Sequence, residues 1–150
     1  MACGTGSNLT SAPLAPEPEP LTDGAFYRVE VGSAVYAAEV AASAPTLALG
    51  LSGREGLGPG AAMLFDLGSE RESSFWMRGM RFALDIVWVR ADWSIVAVSR
   101  EVLPPAPGTA DAALPLYSPG EPVRFVLEVP AGDTTAYAIE PGVHLRVYAQ

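Results

Sequence analysis

Two carboxylates lie in segments that otherwise read as buried β-strands. Asp85 interrupts the run FALDIVWV, and Glu128 interrupts the run RFVLEV. A carboxylate in such a place needs hydrogen-bond donors or a positive partner, or its pKa rises. Two carboxyl groups that share an open cleft can carry acid/base chemistry on a saccharide or a peptide. One hypothesis is therefore an enzyme that uses Asp85 and Glu128.

Both carboxylates also have a structural interpretation, which we favour. We predict that Arg54, in the turn LSGRE, meets Asp85 across the start of its strand, with backbone amides completing the shell. Trp76 or Met77 would cover this pair and keep water out. For Glu128 the corresponding interpretation is a cross-strand ion pair at the surface of the sheet.

Trp76 and Met77 are adjacent in an apparent strand, so their side chains point to opposite sides. One should belong to the core, and the other should line a groove suited to a peptide or sugar. Met77 and Met80 also have a spacing found in soft copper sites, which makes a soft-metal binder a further alternative. Packing is the more common role of such a pair, and we expect no metal and no cofactor.

The remaining candidates for chemistry are few. His144 is the single histidine, and alternation in VHLRVYA places it on a solvent-facing side. No arrangement of serine, histidine and aspartate is evident, and the glycine-rich stretch GLGPG lacks the lysine and hydroxyl of a phosphate loop.

Alternating apolar and polar residues between turn signals predict the elements that position these side chains. We count seven to nine short strands and two short helices, the first capped by Ser43 and the second over GDTTAYAIEPG. This pattern predicts a mainly β fold, a compact antiparallel sandwich or barrel-like domain. In the turn after FALDIVWV, Trp93 disfavours a positive φ, so we expect a loose turn there.

Composition restricts the class of partner. The chain has 150 residues, a net charge of −8 and nine basic residues, all of them arginine. An acidic chain without a basic patch argues against nucleic acid and anionic membrane surfaces. No apolar run approaches the ~20 residues of a membrane helix. We expect a monomer that binds a small molecule, saccharide or peptide.

The first 24 residues differ from the rest of the chain. They are rich in proline and glutamate, which predicts an extended tether before a single β domain at 25–150. Cys3, the one cysteine, lies in ACGTGSN, a context that is similar to the modified cysteine of bacterial lipoproteins. We therefore predict lipidation at Cys3 and a location outside the cytoplasm, with the membrane contacted only through that lipid.

Five segments come in an order that is similar to one prokaryotic family. They are GLSGREGLGPGAAMLFDL, SFWMRGMRFALDIVWVRADWSIV, LYSP, RFVLEVPAG and IEPGVHLRV, and the resemblance covers residues 29–149. Together they resemble domain of unknown function 192. The chain departs from that pattern at Arg78-Gly79-Met80, at Trp93, and in a proline-rich loop without cysteines.

The resemblance implies a compact β domain that is often exported or lipid-anchored, and it implies no reaction. Tyr117, in the segment LYSP, joins the predicted ligand-binding residues on this basis; the full set is Arg54, Trp76, Met77, Asp85, Tyr117 and Glu128. The favoured function is an exported, non-catalytic binding or accessory module with a groove lined by tryptophan and methionine.

Overall fold

Seven β-strands form one curved sheet in the computed structural model, which describes residues 16–150. The strands are Phe26–Val31 (β1), Ala34–Ala41 (β2), Ala61–Arg71 (β3), Leu84–Val89 (β4), Ile95–Val102 (β5), Val123–Pro130 (β6) and Arg146–Ala149 (β7). Two short helices, Ala44–Leu49 (α1) and Asp133–Ala136 (α2), and a 3-10 turn at Asp111–Ala113 accompany them. The predicted mainly β fold with two short helices is confirmed.

The strand order is β5-β4-β6-β3-β2-β1-β7, and every neighbouring pair is antiparallel except β2 and β3. The sheet is not closed, but it curls until its two ends approach. At the start of β5, the amide of Ile95 donates to the carbonyl of Val143 (2.8 Å). The amide of Leu145, just before β7, donates to the carbonyl of Trp93 (2.9 Å). The architecture is therefore barrel-like, and it contains one sheet instead of two stacked ones.

The two faces of the sheet bury two separate apolar clusters. Residues from β1, β2, β3, β4 and β6 enclose the first core, which includes Val87, Phe125 and Leu127. The second core lies on the opposite face and includes Phe65 and Trp88. Strands β4 and β6 are buried on both faces, which explains why their sequences read as nearly continuous apolar runs.

The outer covering of the second core comes from the connection between β2 and β3. Because these strands are parallel, the chain must cross a face of the sheet between them. Helix α1 lies in this crossover and is capped as predicted: the amide of Thr46 donates to the Ser43 hydroxyl, and the Thr46 hydroxyl accepts from the Ser43 amide. Neither helix of residues 16–150 has the length and apolar character needed to cross a membrane.

The covering over the other part of the second core is irregular. We predicted a strand at SSFWM, and this prediction is wrong: only Phe75 forms a bridge there, pairing with Tyr117. The two residues exchange amide-to-carbonyl hydrogen bonds of 2.8 Å. The segment 73–82 therefore crosses the second core as a loop that is held at one point.

The end of the predicted tether is fixed to the domain. The Leu21 amide donates to Asp66 (3.0 Å), and Asp23 accepts from the amides of Ala42 (2.7 Å) and Ser43 (3.1 Å). Hydrogen bonds lower the pKa of the Asp23 carboxyl to about 2; the bond from the Thr46 hydroxyl has the largest effect, and the bond from the Ala42 amide has the next largest. Residues 21 and 23 of the predicted tether therefore contact the β domain. The first part of the tether and Cys3 lie outside the described residues.

The turn between β4 and β5 contradicts the expectation of a loose connection. Trp93 has φ of 69°, and the turn is tight: its amide donates to the carbonyl of Arg90 (3.0 Å). A bulky residue in this conformation is strained. The indole stacks on Phe125, with centroids 3.9 Å apart and an angle of 9° between the planes. The gain from this burial offsets the backbone strain.

This balance predicts the effect of removing the ring. We expect Trp93→Gly to lower the free energy of unfolding by about 1–2 kcal/mol, because lost ring burial exceeds relieved strain. Trp93→Ala keeps the strain and loses the ring, so it should be ~1 kcal/mol less stable than the glycine variant. Urea unfolding of both variants checks this, and a glycine variant more stable than the parent would show that strain dominates.

Candidate functional site

Asp85 is fully buried, and backbone groups satisfy its carboxylate. The amide of Glu101 donates to one oxygen (2.7 Å). The other oxygen accepts from the amides of Gly132 (3.1 Å) and Thr134 (3.0 Å) and from the Thr134 hydroxyl (2.5 Å). Asp85 therefore joins β4 to the end of β5 and to the first turn of α2.

The predicted pair of Arg54 and Asp85 is wrong. Arg54 instead pairs with Glu39 (2.9 Å), and both side chains are partly exposed. The amides expected around Asp85 are present, and they complete its shell without a guanidinium. Asp85 thus caps the end of β5 and the start of α2, and it has no contact with the turn LSGRE.

Asp85 and Glu128 do not form a couple, since they lie on opposite faces of the sheet. In the register of β4 and β6, Asp85 faces Val129 and Ile86 faces Glu128. Val129 belongs to the first core and Ile86 to the second. The sheet therefore separates the two carboxyl groups, and this geometry does not support an acid/base pair made of them.

Glu128 is also not the surface ion pair that we predicted. It is only 6% exposed and lies between Met63 of β3 and Ile86 of β4. Among residues 16–150, no side chain or amide donates to its carboxyl group. Burial raises the pKa of Glu128 to about 8. Since no buried side-chain oxygen of the described residues is left without a partner, its oxygens must open onto free space.

That free space is a cavity of about 150 Å³ on the second-core face. Its walls come from the α1 region, from β3 and from the loop 73–82, and Glu128 is the only ionisable residue among them. The lining residues are Leu47, Ala48, Leu49, Gly50, Leu51, Ser52, Phe65, Ser74, Phe75, Trp76, Met80 and Glu128. We call it the Glu128 cavity.

Two covering segments are fastened to each other beside the Glu128 cavity. The Ser52 hydroxyl donates to the carbonyl of Arg78 (2.7 Å), and the Gly53 amide donates to that of Gly79 (2.9 Å). Gly79 has φ of 70°, and an added Cβ there would lie 3.2 Å from Ser52. The close approach thus requires glycine at this position, and it holds the loop 73–82 over the cavity.

The covering of the Glu128 cavity by α1 also depends on a glycine. Gly50 ends α1 with φ of 48° and ψ of −131°, a conformation suited to glycine. The ring of Phe65 would lie 3.2 Å from a Cβ at this position. No residue of α1 is buried, so the helix covers the cavity without filling it.

Trp76 and Met77 point to opposite sides, as predicted. Met77 is buried in the second core, whereas Trp76 is 41% exposed at the mouth of the Glu128 cavity. The guanidinium of Arg78 lies 5.6 Å from the centre of the Trp76 ring and pairs with Asp111 (3.2 Å). Trp76 therefore covers Glu128, and not the buried Asp85.

The sequence profile of DUF192, described as "Uncharacterized ACR", matches residues 27–147. The chain belongs to this family. No curated protein matches it. Solved structures with the same fold include two bacterial proteins at 26% identity.

One of these proteins is a proposed transcription regulator from Sinorhizobium meliloti 1021, with a TM-score of 0.74 over 85% of this chain and 97% of its own. The other is a protein of unknown function from Novosphingobium aromaticivorans DSM 12444, with a TM-score of 0.73 over 96% and 99%. These two proteins therefore share the fold of this chain over most of its length.

The departure from the DUF192 pattern at Arg78-Gly79-Met80 falls at the Glu128 cavity. Met80 lines this cavity, whereas Met77 lines a different one of about 260 Å³ under the proline-rich loop, together with Tyr117. The two thioethers thus open onto separate spaces, an arrangement that does not favour a shared soft-metal site. Of residues 16 to 150, no three His, Cys, Asp or Glu side chains cluster as metal ligands would.

Sequence reasoning missed a buried ion pair and most of the cavity. Arg124 and Asp66 are each about 2% exposed and lie 3.2 Å apart, with Glu17 at 3.1 Å from Arg124. This pair ties the N-terminal segment to the sheet in the DUF192 domain. Phe65 and Phe75, which line the Glu128 cavity, read as ordinary core residues, and no local signal distinguishes them.

A larger cavity of about 430 Å³ lies beside α2, but its one carboxyl group, that of Asp133, already has a partner. The hydroxyl of Tyr36 donates to Asp133 (2.9 Å). In the Glu128 cavity the carboxyl group has no such partner. The smaller cavity is therefore the candidate site of this DUF192 member, because it offers a polar group that a ligand can satisfy.

Proposed function

We propose that this protein is a non-catalytic binding module that takes a small molecule, or one group of a saccharide or peptide, into the Glu128 cavity. The observation that carries the proposal is a buried, unpartnered carboxyl group at the floor of a cavity with an exposed tryptophan at its mouth. A ligand that donates to Glu128 would recover the hydrogen bonds that burial denies it.

Two features favour binding over catalysis. The carboxyl group of Glu128 stands alone, since the cavity walls hold no second ionisable side chain. The Ser52 hydroxyl already donates to a backbone carbonyl, so it is engaged in structure. The Ser74 hydroxyl also lines the cavity, but acid/base chemistry commonly needs a second ionisable group within reach, and the walls hold none.

We also propose that the protein acts outside the cytoplasm as a monomer, held by a lipid on Cys3. The support is the sequence around this single cysteine, followed by the proline-rich stretch. Labelling cells with an alkyne fatty acid, with Cys3→Ser as the control, tests the anchor. A regulatory role like that named for the Sinorhizobium protein is not proposed, because the chain has a net charge of −8.

Binding in the Glu128 cavity is tested by NMR with a set of dipeptides and monosaccharides. We expect shifts of the Gly50, Ser52 and Phe75 amides and of the Trp76 indole, and we expect Trp76→Ala to weaken the response at least fivefold. Tyr137→Ala is the matched control, because Tyr137 is 40% exposed and lines another cavity. Shifts confined to residues outside the Glu128 cavity, or no shifts, would contradict the proposal.

A further inference from the structure

The floor of the Glu128 cavity restricts the charge of its ligand. A carboxyl group that is largely buried and has no protein donor interacts best with a cation or a strong donor. The walls supply no competing positive group, because Glu128 is the only ionisable residue among them. An anionic ligand would face an acidic group inside and a chain with net charge −8 outside.

Three of the twelve residues that line the cavity are aromatic. Phe65, Phe75 and Trp76 all line it, and the rings of Phe65 and Phe75 meet edge to face at 5.0 Å with an angle of 77°. Ring faces carry negative potential and attract cations within about 6 Å, and quaternary ammonium groups are recognised by such aromatic walls. One position of this kind is already filled, because the Arg78 guanidinium lies 5.6 Å from the Trp76 ring centre, outside the cavity lining.

The size of the cavity restricts the ligand further. A cavity of about 150 Å³ accepts a group of benzene size, on the order of five to seven non-hydrogen atoms. A trimethylammonium group is of this size, and its methyl groups suit apolar walls. A sugar ring with all its hydroxyls is larger than this volume.

We infer that the Glu128 cavity binds an alkylated ammonium group, with the aromatic rings around its methyl groups and the Glu128 carboxylate as its counter-charge. This inference rests on the proposed binding function and names the class of its ligand. Choline carries the group in its simplest soluble form.

Binding of such a cation should be coupled to loss of the Glu128 proton. The cation favours the ionised carboxylate, while burial favours the protonated form in the free protein. Affinity should therefore rise with pH up to about 8 and then level off. The charged residues on the covering loop are Arg78, which pairs with Asp111, and the exposed Arg81, and neither lines the cavity.

The test is titration calorimetry with choline chloride and with its neutral isostere 3,3-dimethylbutan-1-ol, at pH 6 and pH 9. We expect choline to bind at least tenfold more tightly at pH 9 than at pH 6, and to bind more tightly than the alcohol at pH 9. In Glu128→Gln the pH dependence should vanish and choline affinity at pH 9 should fall at least tenfold. Tyr137→Ala should bind like the parent.

The outcomes separate this inference from the proposed function. If choline and the alcohol bind equally well and without pH dependence, the inference that the ligand is a cation is overturned. The proposed binding function of the cavity then still stands. If choline does not bind, but dipeptides or monosaccharides shift the NMR signals of residues that line the Glu128 cavity, only the inferred ligand class is overturned. Absence of every response overturns both.

Discussion

The Glu128→Gln variant should be more stable than the parent protein at pH 9. The free energy of unfolding of the variant, relative to that of the parent, should rise by roughly 4 kcal/mol from pH 4 to pH 9. The pKa of this carboxyl is about 8 in the folded chain and near 4.5 in ordinary surroundings. Below pH 4.5 the group is protonated in both the folded and unfolded states. As the pH rises to 8, only the unfolded chain releases the proton readily, so the stability of the parent falls.

Urea unfolding of the parent and the variant at pH 4, 6, 7.5 and 9 measures this difference. A glutamine has no proton to lose, so the stability gap should widen between pH 4.5 and 8 and stay constant above. Glu55→Gln changes an exposed side chain, and we expect it to alter the free energy of unfolding little at any pH. Parallel curves for parent and Glu128→Gln would show that the buried carboxyl is ionised or well hydrated.

Asp85→Asn should destabilise the fold by about 3–5 kcal/mol. Every donor around Asp85 needs an acceptor: three are backbone amides and one is the Thr134 hydroxyl. An asparagine presents its own NH₂ to at least one amide, which removes a charge-assisted bond and leaves that amide buried without a partner. Chemical unfolding of the variant checks the loss.

Arg54→Met is the matched comparison for Asp85→Asn. Arg54 pairs with Glu39 at the surface, so its loss should cost less than ~1 kcal/mol. The two effects should add in the double variant, because the residues do not touch. A loss under 1 kcal/mol for Asp85→Asn would mean that water, and not the carboxylate alone, satisfies these amides.

Asp85 illustrates how far local pattern carries a structural prediction. Its place in an apolar strand indicated correctly that partners were required. The partners themselves are amides 16, 47 and 49 residues further along the chain. Backbone amides carry no sequence signature, so an arginine was the visible but wrong candidate.

Glu128 shows a different limit. Alternation in β6 placed it correctly on the face opposite Phe125 and Leu127. Whether that face meets water depends on what crosses above it, and here α1 and the loop 73–82 both do. Short signals such as the Ser43 cap were recognisable because capping acts within one turn. The covering of a sheet is set by topology, which needs long-range pairing.

The sheet order has a consequence for the order in which the chain can fold. Strand β6 lies between β4 and β3, so among the strands made up to residue 130 it alone joins the pair β4–β5 to the group β1–β3. During synthesis the two halves emerge first, and each leaves an apolar edge strand unpaired until residue 130 has been made. Pairings this distant in sequence slow folding to the millisecond-to-second range. Until β6 arrives, the nascent chain exposes apolar strand edges that favour aggregation.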